Sequence, residues 1–222
     1  MNNETGRRIE DADQEYYAVA TDMMIKIRDA VEKGTSSLVY VYYPWIDHLE
    51  HMYGPSSEAV SNAVRTFFTE LENVVIPTLK KSDYKLVITA DHGQIEAGGS
   101  IVIGGNSEII EYAVGPPWGD ERILYFNALS GKEAKFKECF ERSYGKGALL
   151  FDSDSLISTG IFGKAKVNGK VRYRFGTHIA IAKRNSVFAY EYPRETHSKH
   201  RKHVGVHSGP SKEEMEVPLI VY

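Results

Sequence analysis

Apolar side chains recur at close to helical spacing in the first third of the chain. Between residues 9 and 33 they occur every three or four positions, and Gly34 follows as a helix-ending residue. The same spacing returns over residues 60–75, after a pair of serines that can cap a helix and before Pro77. The sequence therefore predicts two amphipathic helices in this region.

Two short apolar runs flank the second of these helices. Residues 37–43 are strongly β-prone and end at Pro44, while residues 86–88 read Leu-Val-Ile. Runs of this kind are typical of strands that are buried on both faces of a parallel sheet. A strand, a crossover helix and a second strand then form a right-handed βαβ unit. We therefore expect an α/β fold with a mainly parallel sheet.

Beyond residue 100 the chain changes to short strands and helices that are separated by turns rich in glycine and proline. Strands are predicted at 122–127, 148–151, 178–182 and 187–190, and helices at 132–144 and 153–159. A capping turn at Ser211 and an apolar run at 217–221 close the chain. We accordingly expect a core part (1–100), a small α+β insert (about 101–193) and a return to the core (194–222).

Composition and charge narrow the class of protein. The 222 residues are 42% hydrophobic, which is enough to bury a core. The net charge of −3 provides no overall field for nucleic acid or for an anionic membrane, and no window has the roughly 18 apolar residues that span a bilayer. The single cysteine, Cys139, excludes an intramolecular disulfide and is typical of a reducing compartment. We therefore predict a cytoplasmic protein.

Potential metal ligands occur at two places near the predicted strands. Asp91 and His92 lie just past the carboxyl end of the strand at 86–88, where open α/β sheets bind their ligands. Asp47 and His51 are four residues apart, which places both on one face if the segment takes a helical turn. Carboxylates and imidazoles together suit Zn²⁺, Mn²⁺ or a similar ion. The alternative is that these are capping or solvated polar side chains.

A third set of potential ligands lies in a basic loop between residues 194 and 211. Four of the eight histidines occur there, at positions 197, 200, 203 and 207. We interpret the first three as part of a solvated surface loop. His207 differs because a turn and a capped element deliver it next to the last apolar run, so it is a candidate ligand.

Three motifs occur in the order and spacing of a known family. They read Tyr-Tyr-Pro-x-x-Asp47-x-x-x-His51-x-x-Gly-Pro, Thr-Ala-Asp91-His92-Gly and Val-His207-x-Gly-x-Ser-x-x-Glu-Met-x-Val-Pro-Leu. From about residue 38 to residue 222 the chain resembles the alkaline phosphatase superfamily and, within it, the type I phosphodiesterase/nucleotide pyrophosphatase family. The resemblance implies part of an αβα sandwich, namely its carboxyl-terminal part with an insert.

The resemblance also implies a metal-dependent hydrolase of phosphate esters. Asp47, His51 and His207 would bind one ion, while Asp91 and His92 would contribute to a second, with Zn²⁺ expected before Mn²⁺. In the family a Thr or Ser attacks phosphorus, and it precedes the first motif together with a further Asp. Residues 1–37 predict a helix with no such site, so we expect an incomplete enzyme in which the chain binds one ion with three ligands.

Two alternative functions remain open at this stage. One is a non-catalytic metal-binding or interaction module derived from the same fold, and the other is the phosphoglycerate mutase-like branch, in which the His-x-Gly-x-Ser-x-x-Glu motif also occurs. The expected partner is a small phosphate ester or a nucleotide, rather than nucleic acid or a membrane. A homodimer or a missing amino-terminal segment is expected to cover the exposed sheet edges.

Overall fold

A computed structural model describes residues 13–34, 38–163, 167–191 and 203–222 of the chain. These residues form two compact units. The first comprises the described residues within Met1–Tyr42, Asn62–Leu86 and Val221–Tyr222, and the second comprises those within Tyr43–Ser61 and Val87–Ile220. The predicted loop histidines 197 and 200 lie outside the described residues.

The elements follow one another as short helices and short strands. The helices are α1 (Ala20–Glu32), α2 (Trp45–Tyr53), α3 (Glu58–Glu70), α4 (Ile76–Leu79), α5 (Glu133–Tyr144), α6 (Ser153–Ser158), α7 (Gly169–Arg172) and α8 (Lys212–Met215). A π-helical turn (Leu71–Val75) joins α3 to α4, and 3₁₀ turns cover Glu108–Tyr112 and Tyr173–Phe175. The strands are β1 (Val87–Thr89), β2 (Ile95–Glu96), β3 (Ser100–Gly104), β4 (Trp118–Asp120), β5 (Ile123–Phe126), β6 (Ala148–Asp152), β7 (His178–Ala182), β8 (Val187–Glu191), β9 (Gly205–Val206) and β10 (Leu219–Val221).

Both predicted amphipathic helices are confirmed, with different ends. The first begins only at Ala20 in the described residues, and its apolar face buries Met23, Met24 and Val31 in the first unit. The second continues as far as Leu79, because Pro77 lies in the first turn of α4, where a missing N–H is tolerated. Helical periodicity is a local signal, so the existence of these helices was predictable.

The predicted strand at 37–43 is wrong for its described residues. Residues 38–44 form no strand, and Leu38 and Tyr40 are 92% and 77% exposed. A strand requires a neighbour that satisfies its backbone groups, and no described strand pairs with this segment. The βαβ unit expected from this strand is therefore not formed in the described residues.

The strand predicted at 86–88 is confirmed as β1, but it is not buried on both faces. It pairs with β10 as its single described neighbour, and Val87 is 57% exposed. Directly before β1, Leu86 and Tyr222 exchange both backbone hydrogen bonds, which is the antiparallel pattern. The apolar run therefore predicted the strand correctly and its surroundings incorrectly.

The fold class, a mixed helix and sheet protein, is confirmed, but the expectation of a mainly parallel sheet is corrected. Among the described strands β3 and β8 form a parallel pair, whereas β2 with β9, and every pair in the β4-β5-β7-β6 sheet, is antiparallel. The parallel expectation depended on a partner for β1 that does not form. The remaining strands come mainly from the region predicted as an α+β insert, where antiparallel pairing is permitted by short connections.

The main core of the second unit lies between α5 and this four-stranded sheet. Helix α5 buries one face, on which three side chains are at most 2% exposed: Phe136 and, three and four residues later, Cys139 and Phe140. Phe126 of β5 packs edge-on against the rings of Phe136 and Phe140. All six elements predicted between 122 and 190 are confirmed to within about two residues, because alternation and periodicity are local properties.

His178 of β7 is a buried histidine in this core. It is 2% exposed, its ring lies 5.0 Å from that of Phe136, and its Nδ1 is 2.9 Å from the Thr177 hydroxyl. Its Nε2 meets no hydrogen-bond partner among the described residues. Burial, with a smaller contribution from Lys137, lowers the pKa of His178. The folded protein therefore favours the neutral imidazole.

We expect this histidine to make the protein less stable in mild acid. Below the unfolded-state pKa of about 6.5 the unfolded chain binds a proton that folded His178 does not, so stability is full above that pH and falls below it. The slope attributable to His178 is at most about 1.4 kcal/mol per pH unit. Urea unfolding between pH 5 and 8 measures it, and His178→Phe should show the shallower dependence. Equal slopes in the two proteins would contradict this prediction.

Candidate metal centre

Helix α2 places Asp47 and His51 on one face. Pro44 precedes the helix, and Gly54, with a φ of 88°, ends it, which fixes nine helical residues where the sequence predicted a loop or a single turn. The Asp47 Oδ1 lies 3.4 Å from the His51 Nε2. The predicted proximity of this pair is therefore confirmed, and the helix is longer than expected.

The segment after β1 brings His92 toward the same place. The Gly93 N–H donates to the Glu214 carbonyl at 2.9 Å, which anchors the turn that follows Asp91 and His92. Asp91 points outward with a 67% exposed side chain, and its Oδ1 is 3.9 Å from the His92 Nε2. The His92 side chain is thus directed toward the protein interior, whereas the Asp91 side chain lies mostly in solvent.

His207 reaches the site from the end of β9. This strand pairs with β2, with Val206 opposite Ile95, and the chain then turns at Ser208, whose φ is 85°. The His207 ring stacks on the His92 ring with centroids 3.8 Å apart and an interplanar angle of 16°. Three separate segments of the second unit therefore meet at these side chains.

Asp47, His92 and His207 form one group of potential ligands. Each offers one ligand atom, and these atoms lie within 4.8 Å of one another. The resemblance grouped His207 with Asp47 and His51, and His92 with Asp91. In the structure His92 joins Asp47 and His207, and Asp91 does not belong to this group of ligand atoms. The assignment of the five residues as ligands stays a prediction.

A second group was missed by the sequence analysis. His51, Glu121 and His203 also place one ligand atom each within 4.8 Å of one another. Glu121 lies in the turn between β4 and β5, and His203 lies two residues before β9. The only sequence signal was the spacing of four between His203 and His207, and nothing in the sequence connected either residue with Glu121.

The Gln94 side chain donates hydrogen bonds to Asp47. Its Nε2 donates to the Asp47 carboxylate at 2.6 Å and to the Asp47 carbonyl at 3.2 Å, and Gln94 itself is buried. Amide donors of this kind fix the orientation of a ligating carboxylate. Gln94 follows the Asp91-His92-Gly93 motif directly, but the motif alone gave no reason to assign it.

The electrostatics of the pocket favour neutral imidazole at His207. Burial, followed by the neighbouring His92, lowers the pKa of His207. A histidine binds a metal ion through its neutral form, so the lowered pKa suits a ligand. Burial, followed by repulsion from Asp47, raises the pKa of Glu50.

A buried ion pair holds the His207 turn in place. The Arg122 guanidinium donates to both carboxylate oxygens of Glu214, at 3.0 and 3.1 Å, and both side chains are 1% exposed. The Arg122 backbone N–H donates to the Ser208 hydroxyl, and the Gly209 N–H donates to Glu214. Burial alone would raise the pKa of Glu214, but these hydrogen bonds outweigh it and leave the pKa lowered. The pair thus connects the predicted insert with the turn that carries His207.

The donors present fit a divalent transition metal ion. Asp47, His92 and His207 supply one carboxylate and two imidazoles, which is a ligand set of zinc sites that keep an open coordination position. The site is therefore chemically compatible with the zinc or manganese ion that the resemblance implies.

Gly205 provides a test of how closely β9 must approach α2. A Cβ at this position would lie 2.4 Å from the Glu50 carbonyl oxygen and 2.6 Å from the Gln94 Oε1. We expect Gly205→Ala to destabilise the protein by about 1–3 kcal/mol and to weaken metal binding, because the strand must move away from His51. Thermal unfolding and zinc titration measure both effects. Gly169→Ala, which meets no atom within 4 Å, is the control, and equal behaviour of the two variants would refute the prediction.

Comparison with known proteins decides the fold. The human ectonucleotide pyrophosphatase/phosphodiesterase 5 structure superposes with a TM-score of 0.64 over 94% of this chain, at 16% sequence identity. The chain has an alkaline phosphatase-like fold. An inactive variant of the murine enzyme in complex with AMP matches with a TM-score of 0.59 over 93% of the chain, at 16% identity. Phosphonoacetate hydrolase from Sinorhizobium meliloti, in complex with phosphonoformate, matches with a TM-score of 0.56 over 79%, at 15% identity.

The family resemblance is confirmed by an independent comparison of the sequence. Residues 5–108 match the family model of type I phosphodiesterase / nucleotide pyrophosphatase, which extends the similarity upstream of residue 38. No curated protein matches the sequence significantly. The alkaline phosphatase-like chain spans 54%, 53% and 43% of the three solved structures named above, so it corresponds to about half of these relatives. Among the described residues, no helix is long and apolar enough to cross a membrane.

Proposed function

We propose that the protein takes part in the divalent-metal-dependent hydrolysis of phosphate esters, of the phosphodiester or nucleotide type. The observation that carries the proposal is that three segments bring the ligand atoms of Asp47, His92 and His207 within 4.8 Å of one another. The family match and the fold support the same class of reaction. The phosphoglycerate mutase-like alternative receives no comparable support.

The residues of the chain bind and orient in this proposal. When bound, a divalent ion, Zn²⁺ before Mn²⁺, supplies positive charge that stabilises the phosphoryl oxygens in the transition state. Asp47, held by Gln94, and His207, held by its turn, present their ligand atoms in fixed directions. Asp91 and His51 are proposed to complete the coordination of two ions. No Thr or Ser among the described residues is assigned as the nucleophile.

The proposed substrate is a nucleotide or a related small phosphate ester. The murine ectonucleotide pyrophosphatase/phosphodiesterase 5 with the same fold was solved with AMP, which supports a nucleoside phosphate at the equivalent site. The expected cytoplasmic location and the expected homodimer, or the pairing with a further amino-terminal segment, stay predictions. Sedimentation velocity of the purified chain tests the dimer directly.

The experiment measures AMP binding and bis-p-nitrophenyl phosphate hydrolysis side by side, with zinc and with a chelator. We expect both to require metal, and we expect His207→Ala to weaken AMP binding at least about tenfold, since loss of even an outer-shell partner costs that much. Binding or turnover that survives both chelation and His207→Ala would refute the proposal. Metal-dependent AMP binding without turnover would uphold the metal and nucleotide site and limit the chain to binding and orienting, since no Thr or Ser among the described residues is assigned as the nucleophile.

A further inference from the structure

One face of the β4–β5 hairpin carries side chains that are open to solvent. Trp118 lies opposite Tyr125 on the neighbouring strand, and Asp120 lies opposite Ile123. Because side chains alternate along a strand, these four project from the same face of the hairpin, named here the hairpin face. Asp120 is exposed and the other three are half-buried. The hairpin face therefore offers one carboxylate beside an aromatic surface.

We propose that the hairpin face binds the nucleoside part of the substrate, with the base on Trp118 and the ribose hydroxyls at Asp120. The inference rests on the proposed function and deepens it, because it assigns the substrate class to nucleoside phosphates. Neither residue belongs to the ligand groups of the metal centre.

The turn of the hairpin is connected to the segment that carries His207. The Arg122 N–H donates to the hydroxyl of Ser208, the residue that follows His207, at 3.3 Å. Burial lowers the pKa of His207 and the Asp120 carboxylate opposes that shift, so the two groups lie within electrostatic reach. Trp118 is two residues, or about 7 Å of strand, further from the turn. Carboxylate and indole thus follow the metal centre in the order in which ribose and base follow the phosphate of a nucleotide.

The Trp118 indole is held in a fixed position. Its Nε1 donates to the Arg174 carbonyl at 3.0 Å, and its ring stacks on that of Tyr125 with centroids 6.1 Å apart and an interplanar angle of 26°. Gly176, whose φ is 62°, leaves room for the indole, since a Cβ there would lie 2.8 Å from its Cη2. A surface that is ordered before binding loses little entropy when a base stacks on it.

A nucleoside has the two chemical groups that this face can recognise. Every base has a π-face, so an aromatic side chain binds bases of any sequence by stacking. A carboxylate accepts hydrogen bonds from ribose hydroxyls, and the Glu121 N–H orients the Asp120 carboxylate by donating to its Oδ1 at 2.8 Å. The competing explanation is that Trp118 and Tyr125 form a cross-strand aromatic pair that only stabilises the hairpin.

Tryptophan fluorescence reports on the hairpin face directly, because the chain has two tryptophans. The other, Trp45, lies two residues before Asp47 in α2, and residues with that spacing do not share a helix face. With zinc present, AMP should quench the emission of Trp45→Phe, in which Trp118 is the remaining tryptophan. The emission of Trp118→Phe should not change.

Isothermal titration with AMP and with ribose 5-phosphate separates the base from the phosphate. The unmodified chain should bind AMP at least about fivefold more tightly than ribose 5-phosphate, which is the lower end of base–aromatic stacking. Trp118→Leu should remove this preference and keep the affinity for ribose 5-phosphate, whereas Trp118→Phe should retain most of the preference. Tyr173→Leu replaces an 83% exposed aromatic residue outside the hairpin face and should behave as the unmodified chain.

The outcomes separate this inference from the proposed function. Equal affinities for AMP and ribose 5-phosphate, or a preference that survives Trp118→Leu, would overturn the nucleoside site, while zinc-dependent binding of ribose 5-phosphate would still support the proposed function. A preference that requires Trp118, with ribose 5-phosphate binding that is indifferent to chelation, would uphold the nucleoside site and count against the proposed function. Circular dichroism verifies the fold, and if Trp118→Leu does not fold, an unquenched Trp45→Phe protein overturns the inference.

Discussion

Replacing Arg122 with Ala should lower the free energy of unfolding by about 3–5 kcal/mol, because the Glu214 carboxylate would be left buried and unpaired. The guanidinium also donates to the Ser186 carbonyl, which would lose its partner as well. The Glu214 carboxylate that Arg122 holds also accepts from the Gly209 N–H, two residues after His207, so metal binding at His207 should weaken in the same variant. Urea unfolding and zinc titration measure the two effects.

Two matched variants separate the buried pair from a general effect of removing a charge. Arg142→Ala breaks an ion pair with Glu108 whose members are 55% and 50% exposed, and it should cost at most about 1 kcal/mol. The double substitution Arg122→Met, Glu214→Leu removes both charges and should be much less harmful than Arg122→Ala. Similar losses in Arg122→Ala and Arg142→Ala would contradict the role given to the buried pair.

Replacing Asp47 with Ala should weaken binding of the first zinc ion at least about 100-fold. Removal of an outer-shell partner alone costs 10–100-fold, and Asp47 is proposed as a direct ligand. The substitution also leaves the buried Gln94 amide without its carboxylate partner. Competition titration against a chromogenic chelator measures the affinity.

Two further variants identify the origin of that loss. Asp47→Asn keeps the shape of the side chain and removes its charge, so it should also bind zinc weakly if the carboxylate is the ligand. Asp154→Ala removes a 76% exposed carboxylate that pairs with Arg172, and its zinc affinity should equal that of the unmodified chain. An Asp47→Ala protein with unchanged affinity would remove Asp47 from the centre.

Local sequence patterns predicted which segments form helices and strands better than they predicted which strands pair with one another. The strand at 178–182 and the helix at 132–144 follow from alternation and periodicity within the segment itself, and both are found. The β-prone run at 37–43 failed because strand formation depends on a partner, which no local pattern specifies. The segment from Trp45 was expected to be a loop or a single helical turn, since its aromatic and polar residues mask the helical spacing between Pro44 and Gly54.

In the candidate site, too, residues in local motifs were predictable, whereas proximity that depends on tertiary packing was not. Asp47, His92 and His207 were predictable because each stands in a motif with a defined relation to an adjacent element. Glu121 and His203 were missed because their proximity arises when β9 packs against α2 and the β4–β5 turn, a tertiary arrangement. The regrouping of His92 with Asp47 and His207 likewise depends on side-chain directions that spacing does not determine.

The most direct measurement is the metal content of the purified, untagged chain by elemental mass spectrometry, beside the double variant Asp47→Ala, His207→Ala. If the segments converge on a metal ion as proposed, the unmodified chain retains at least about one divalent ion, and the double variant holds about one fewer while its circular dichroism is unchanged. A folded, unmodified chain without bound metal, or a double variant with the same metal content, would contradict the proposed centre.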